Sequence, residues 1–321
     1  MENQPEQYDP QAQECQRQRM AALLGQLAPV EGYNLTVLPD IRFLRSNRPL
    51  KSVPVLYDPG IVIVCQGKKR GFFGDQTYLY DERQCLVVSV PVPFTMETDA
   101  SEQEPLLAIY MHLDFKIAAD LMLQIDQLGG VASGKPQGMM SSRMDRRLND
   151  SVLRLLEAMS RSMEAEIIGP ALVREIYFRI LTGDQGPSMR AALGMHGQFG
   201  KVVRALRRIH ALYQQELSVE QLASEAGMSV PAFHVHFKAV TNTTPMQYLK
   251  STRLHQARLL MVRNSITAAT ASAEVGYDSP SQFSREFKRL FGRSPREEVK
   301  RMRAEFAVPP AHAASIYVSS H

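Results

Sequence analysis

The chain has 321 residues, is 44% hydrophobic and carries a formal net charge of +4, enough apolar material for two cores at the usual ~100 to 200 residues per domain. No run approaches the roughly 18 consecutive apolar residues of a membrane span, and the polar start MENQPEQYDPQAQECQRQRM is unlike a signal peptide. Three cysteines, Cys15, Cys65 and Cys85, are too few for a disulfide framework or a zinc site, so a cytoplasmic chain with reduced thiols is expected.

Residues 1–30 read as an N-terminal arm with a short helical run at 13–27. From Asn34 the pattern changes to short β-forming segments between turn residues (VPVLYDPG, IVIVCQG, QTYLYD, CLVVSV, LLAIYMHL), which predicts a small β-barrel or sandwich over 34–115. Helical spacing returns over 116–182, mainly at 143–163 and 170–181, and completes a domain at 31–185. GDQGPS punctuates the chain, and a linker is placed at 186–198.

Beyond it the charge changes: residues 196–303 hold 17 Lys and Arg against 8 Asp and Glu, a net +9, whereas the remainder holds 20 against 25, a net −5. One end is therefore suited to a polyanion.

That basic segment contains the same helix twice, at an offset of fifty: MSVPAFHVHFKAVTNTTP and DSPSQFSREFKRLFGRSP. Ser229 and Ser279 are N-cap residues, and Pro231 and Pro280 fit a first helical turn, where a missing N–H costs nothing. Phe233, Phe237 and Val240, like Phe283, Phe287 and Leu290, recur at i, i+4, i+7, so each helix buries one face and frees the other. A shorter alanine-containing helix and a Gly precede each one, which is the helix-turn-helix pattern. Between the copies, residues 245–263 read as one helix of about 27 Å, able to hold two recognition helices near one DNA turn (roughly 34 Å) apart.

LASEAGMS, RLHQARLLM, EVGYDSPSQFSREFKRLFG and the SP at 294–295 resemble the AraC/XylS-type transcriptional regulators over 199–303. VPVLYDPGIVIVCQGKKRGFFGDQTYLYD, CLVVSVPVPF and LVREIYFRILTGDQG resemble an effector domain found in that family. The resemblance implies two domains: a mainly β N-terminal one (a cupin-like barrel plus helices) for effector binding or dimerisation, and an all-α double helix-turn-helix at 199–303, with a tail at 304–321.

By the same resemblance, base contacts fall to Pro231, His234 and Val235 on the first recognition helix and Ser281, Gln282, Ser284 and Arg285 on the second. Arg285 suits guanine O6/N7, and Gln282 suits adenine. Val235 and Pro231 stand where longer side chains are common in the family, so thymine methyls are the expected apolar contact. Ser229, Lys238, Arg253, Ser279, Lys288 and Arg289 are candidates for phosphate contacts, which fix register without reading sequence.

In the N-terminal region, Lys68, Lys69 and Arg70 in an expected hairpin turn, with Tyr78 and Tyr80, are the candidate effector residues. His112 and Asp114, placed on one strand face, fall short of a metal triad or catalytic dyad, and His234 and His236, at i and i+2, point apart. No catalytic residue, metal or cofactor is therefore expected. The expected partners are double-stranded promoter DNA, a small-molecule effector, RNA polymerase and a second copy of the chain, with no membrane. The competing readings are a cupin-type metalloenzyme with an accessory helical domain and a constitutive DNA-binding regulator without effector.

Overall fold

A computed structural model describes residues 10–129, 134–194 and 197–305. Helix α1 (Pro10–Leu27) opens it. Nine strands follow: β1 (Gly32–Leu35), β2 (Ile41–Ser46), β3 (Leu50–Tyr57), β4 (Gly60–Gln66), β5 (Lys68–Phe73), β6 (Gln76–Tyr80), β7 (Gln84–Val88), β8 (Val92–Asp99) and β9 (Leu106–His112). Helix α2 (Phe115–Gln127) separates them from β10 (Met139–Arg143).

The strands make two antiparallel sheets, one ordered β1-β2-β9-β4-β7-β10 and the other β3-β8-β5-β6. Successive side chains on a strand point to opposite faces, and the six-stranded sheet uses both. Val62, Val64, Ala108 and Tyr110 face a core shared with Val55, Tyr57, Phe94 and Met96 of the smaller sheet. Ile61, Ile63, Cys65, Ile109 and Met111 face helices instead. Burial on both faces is why GIVIVC reads as an unbroken apolar run rather than an alternating one.

The second face is covered by α1 together with α2, α3 (Arg146–Met159) and α5 (Gly169–Thr182), while α4 (Ser162–Ile167) packs on α3 and α5. Met20, Leu23 and Leu24 are buried, so the described part of the expected arm is packed structure. Its apolar side chains find a mixed partner surface of strands and α3, which the helix's own pattern does not announce. Arg143, read from sequence as helical, closes β10, and α3 begins three residues later behind the N-cap Asp145, whose carboxylate accepts from the Leu148 amide at 2.7 Å.

The stretch read as a linker contains α6 (Gly186–Leu193), with Met189 and Leu193 buried. Helices α7 (Gly197–Leu212), α8 (Val219–Ala226), α9 (Val230–Thr241), α10 (Pro245–Asn264), α11 (Ala268–Glu274), α12 (Pro280–Phe291) and α13 (Pro295–Glu305) complete the described residues. A mainly β region thus precedes an all-helical one, as the sequence indicates. Residues 306–321, most of the expected tail, lie outside the described residues.

The two regions pack against each other. The core between the sheets continues into Val202, Val203 and Leu206 of α7, Phe233 and Phe237 of α9, and Tyr248 of α10. Among the described residues, no helix is long and apolar enough to cross a membrane.

Candidate nucleic-acid interface

The helical region is two helix-turn-helix units on one connector. In the first, Ser218 and Gln221 form a reciprocal capping box that starts α8, and Gly227, at φ 61°, ends it in the left-handed conformation that glycine adopts without strain. Helix α9 buries Phe233 and Phe237 completely, with their rings 5.3 Å apart.

In the second, Thr267 caps α11 and Ser279 caps α12, accepting from the Gln282 amide at 3.3 Å. Gly276 in the intervening turn has φ +84°, and a Cβ there would lie 2.3 Å from the Gln214 carbonyl oxygen, so the position requires glycine. Phe283, Phe287 and Phe291 are buried in a separate core with Leu254, Ala257 and Met261 of α10.

Helix α10 therefore serves both units, with Tyr248 in the first core and Leu254 onward in the second. Its 20 residues correspond to about 30 Å. Twelve are buried, distributed around the whole circumference, which is the signature of an interior strut rather than a surface helix.

The structure leaves the expected base-reading side chains outward. Pro231, His234 and Val235 on α9, and Ser281, Gln282, Ser284 and Arg285 on α12, are all exposed, Val235 at 67%. Lys238, Lys288 and Arg289 are exposed one or two turns further along. Ser279 caps its helix as expected, whereas Ser229 has extended cap backbone but makes no side-chain cap bond.

Arg253 is placed differently from its expected phosphate role. Its guanidinium donates to the backbone carbonyls of Tyr213 at 2.7 Å, Gln215 at 2.8 Å and Gly276 at 2.8 Å. It joins the end of α7 to the turn of the second unit, a role invisible without the third dimension.

Sequence reasoning also missed Glu286. Its carboxylate accepts from Tyr277 at 2.7 Å, Lys250 at 3.0 Å and Gln282 at 3.3 Å. Burial raises its pKa, but these donors outweigh burial and hold it below the ordinary carboxylate value. The Gln282 side-chain amide is thereby oriented on the exposed face of α12.

The connector is also tied to the β region. The Tyr248 hydroxyl donates to the Pro91 carbonyl at 2.8 Å while lying 2.6 Å from His210 Nε2. Arg258, buried with Glu298 at 3.5 Å and stacked 4.1 Å from the Phe291 ring, reaches the Pro54 carbonyl at 3.5 Å. Burial pulls the Arg258 pKa down to about 10 and Glu298 opposes it, so the guanidinium stays charged. Between α7 and the β region lies a mostly apolar cavity of about 310 Å³, with Val90, Pro91 and Phe115 on one wall and Val203, Leu206 and His210 on the other.

The candidate effector residues do not converge. Lys68, Lys69 and Arg70 lie on strand β5 rather than in a turn. Lys68 is exposed, and Arg70 pairs with Glu97 and Asp99. Tyr78 lines a cleft of about 400 Å³ beside α9. Lys69 and Tyr80 alone share an environment: both are fully buried, with the Lys69 amine 3.1 Å from the Tyr57 hydroxyl and 5.9 Å from the Tyr80 ring. Burial lowers the Lys69 pKa well below its ordinary value. His112 ends β9, but Asp114 is off the strand, capping α2, so the two do not share a strand face. Among the described residues, no group of three or more His, Cys, Asp and Glu could hold a metal ion.

Residues 37–188 match the family described as AraC-type transcriptional regulator N-terminus, and residues 222–301 match a helix-turn-helix domain family. The chain is similar to the HTH-type transcriptional regulator AlkR of Acinetobacter baylyi, 36% identical over 29% of this chain and 30% of that protein. It is similar as well to the RCS-specific HTH-type transcriptional activator RclR of Escherichia coli, 34% identical over 35% of this chain and 38% of that one. These alignments span less than half of each relative. The thermoregulatory protein LcrF of Yersinia pestis aligns more broadly, 21% identical over 74% of this chain and 87% of its own. Among solved structures, unsaturated fatty acid-bound ToxT from Vibrio cholerae shares the fold, with a TM-score of 0.54 and 11% identity over 83% of this chain and 98% of that one.

Proposed function

This chain belongs to the AraC-type transcriptional regulators, and we propose that it binds promoter DNA through both helix-turn-helix units at once, under control of a small molecule bound by its N-terminal half. The observation that carries the DNA reading is the pair of exposed recognition faces on α9 and α12, held by one buried strut. A strut of about 30 Å is close to one turn of duplex, so two successive major grooves on one face are within reach. Arg285 and Gln282 read bases on one element, and His234 and Val235 on the other, with Lys238, Lys288 and Arg289 on phosphates.

The effector site favoured by the geometry is the cavity between α7 and the β region, in place of the scattered Lys68, Lys69, Arg70, Tyr78 and Tyr80 set. Its walls are mostly apolar and include Arg207, a combination suited to an apolar ligand with an anionic group. The fold neighbour ToxT has been crystallised with an unsaturated fatty acid, which supports that ligand class. A ligand there touches both regions, so it shifts whichever domain arrangement it binds better. Control of transcription further implies contact with RNA polymerase and is compatible with a second copy of the chain.

Footprinting of the full chain on DNA upstream of its own gene, across a salt series, tests the reading. A protected two-part site whose affinity falls steeply with salt is expected. Uniform, salt-sensitive coating with no bounded site, with and without added fatty acid, would count against it.

A further inference from the structure

On the helical flank, away from the DNA-binding units, a basin of about 490 Å³ is lined by five arginines: Arg17 of α1, Arg83 of the β6–β7 turn, Arg143 of β10, Arg146 of α3 and Arg179 of α5. Among the described residues, only two carboxylates line it, Asp145 and Asp184. Both are occupied by other donors. Asp145 caps α3, while Asp184 accepts from the Ser142 hydroxyl at 2.9 Å and the Gln185 amide at 2.8 Å.

The arginines are under-matched. Arg179 pairs with Glu175 at 3.2 Å, but Arg17 meets Glu14 only at 3.6 Å and Arg83 meets Glu82 only at 3.9 Å. Among the described residues, Arg143 and Arg146 have no carboxylate within 4 Å. The Nε donors of both Arg17 and Arg179 are buried without an acceptor. Five guanidiniums against two carboxylates already engaged by other donors leave an excess of cationic donors around the basin, which an acceptor-rich anion would match.

We propose that this basin binds a small phosphorylated molecule carrying at least two phosphoryl groups. Guanidinium forks match phosphate oxygens in bidentate geometry, and several forks around one basin suit a diphosphate better than a single carboxylate. The basin joins α1 to the turn containing Gly183 and Asp184, which leads into α6 and then the helical region. An anion held there ties the N-terminal helix to the segment entering the DNA-binding units. The basin shares no lining residue with the effector cavity and none with the DNA-reading faces of α9 and α12.

The test is calorimetric titration of the full chain with inorganic pyrophosphate at fixed ionic strength, with sulfate as the comparison anion and an Arg143→Ala/Arg146→Ala variant alongside. Both substituted side chains are exposed, so the variant should fold, which circular dichroism verifies. One saturable site per chain is expected, tighter for pyrophosphate than for sulfate and weakened about tenfold or more in the variant, since each lost charge-assisted bond contributes on that scale. An Arg285→Ala chain should bind pyrophosphate unchanged, which separates this site from the DNA face. No pyrophosphate binding at millimolar concentration, equal binding of sulfate, or binding that the double variant retains would each overturn the proposal.

Discussion

Arg253 on α10 donates to the carbonyl of Gly276 at 2.8 Å, in the turn that precedes α12. With two further bonds to Tyr213 and Gln215, one side chain fixes how the two helix-turn-helix units sit on their strut. Arg253→Ala is expected to lower unfolding free energy by about 1.5 to 3 kcal/mol, the range for hydrogen bonds to a charged group. Its affinity for two-part DNA should fall with the salt slope unchanged. A slope reduced by about one would instead make Arg253 a phosphate contact, as its sequence position suggests.

Arg285 and Lys288 are both exposed on α12 but are expected to behave differently. Arg285→Ala should cost about 1 to 3 kcal/mol of discrimination at one base position. Lys288→Ala should weaken every sequence alike and flatten the salt dependence. Binding measurements on a panel of single-base variants separate the two; identical profiles for both substitutions would sink the division of roles.

The pair Arg258 and Glu298 is buried on both sides, at 1% and 2% side-chain exposure. Glu298→Gln strands a buried guanidinium and is expected to cost about 3 to 5 kcal/mol, whereas replacing both partners with apolar residues of similar volume should cost far less. Urea unfolding of the single and double variants decides this, and near-equal losses would argue against a paired role.

His255 gives the fold an acid-sensitive element. Its Nδ1 accepts from Arg258 at 2.9 Å, and burial first, then the Arg258 charge, pulls its pKa well below the ordinary value. In the unfolded chain it titrates near ~6.5, so below that pH the unfolded state binds a proton that the folded state refuses. The stabilising contribution is thus complete above about pH 6.5 and declines as pH falls, by up to about 1.4 kcal/mol per pH unit from this group. Stability measured from pH 7.5 to 5 should show a shallower fall for His255→Gln than for the parent; parallel curves would remove His255 from the account.

The helical half was readable because its signals are local. Caps, glycine turns and phenylalanine spacing all act within one or two turns of helix, and they place α8, α9, α11 and α12 without tertiary information. The β half was readable as strands, since β-branched runs between turns suffice, but not as a site. Lys68, Lys69 and Arg70 adjoin in sequence, yet alternate faces of β5 send Lys69 into the core and Lys68 to solvent. Arg253, Glu286 and the arginine basin gather residues from distant segments, and each depends on packing that no local pattern encodes.

The direct test of simultaneous groove reading is to insert five base pairs between the two protected DNA elements and remeasure affinity. A rigid strut holding α9 and α12 cannot follow a half-turn rotation of one groove, so affinity should drop to about that of a single element. Unchanged affinity after the insertion would mean that the two units do not read DNA as one body.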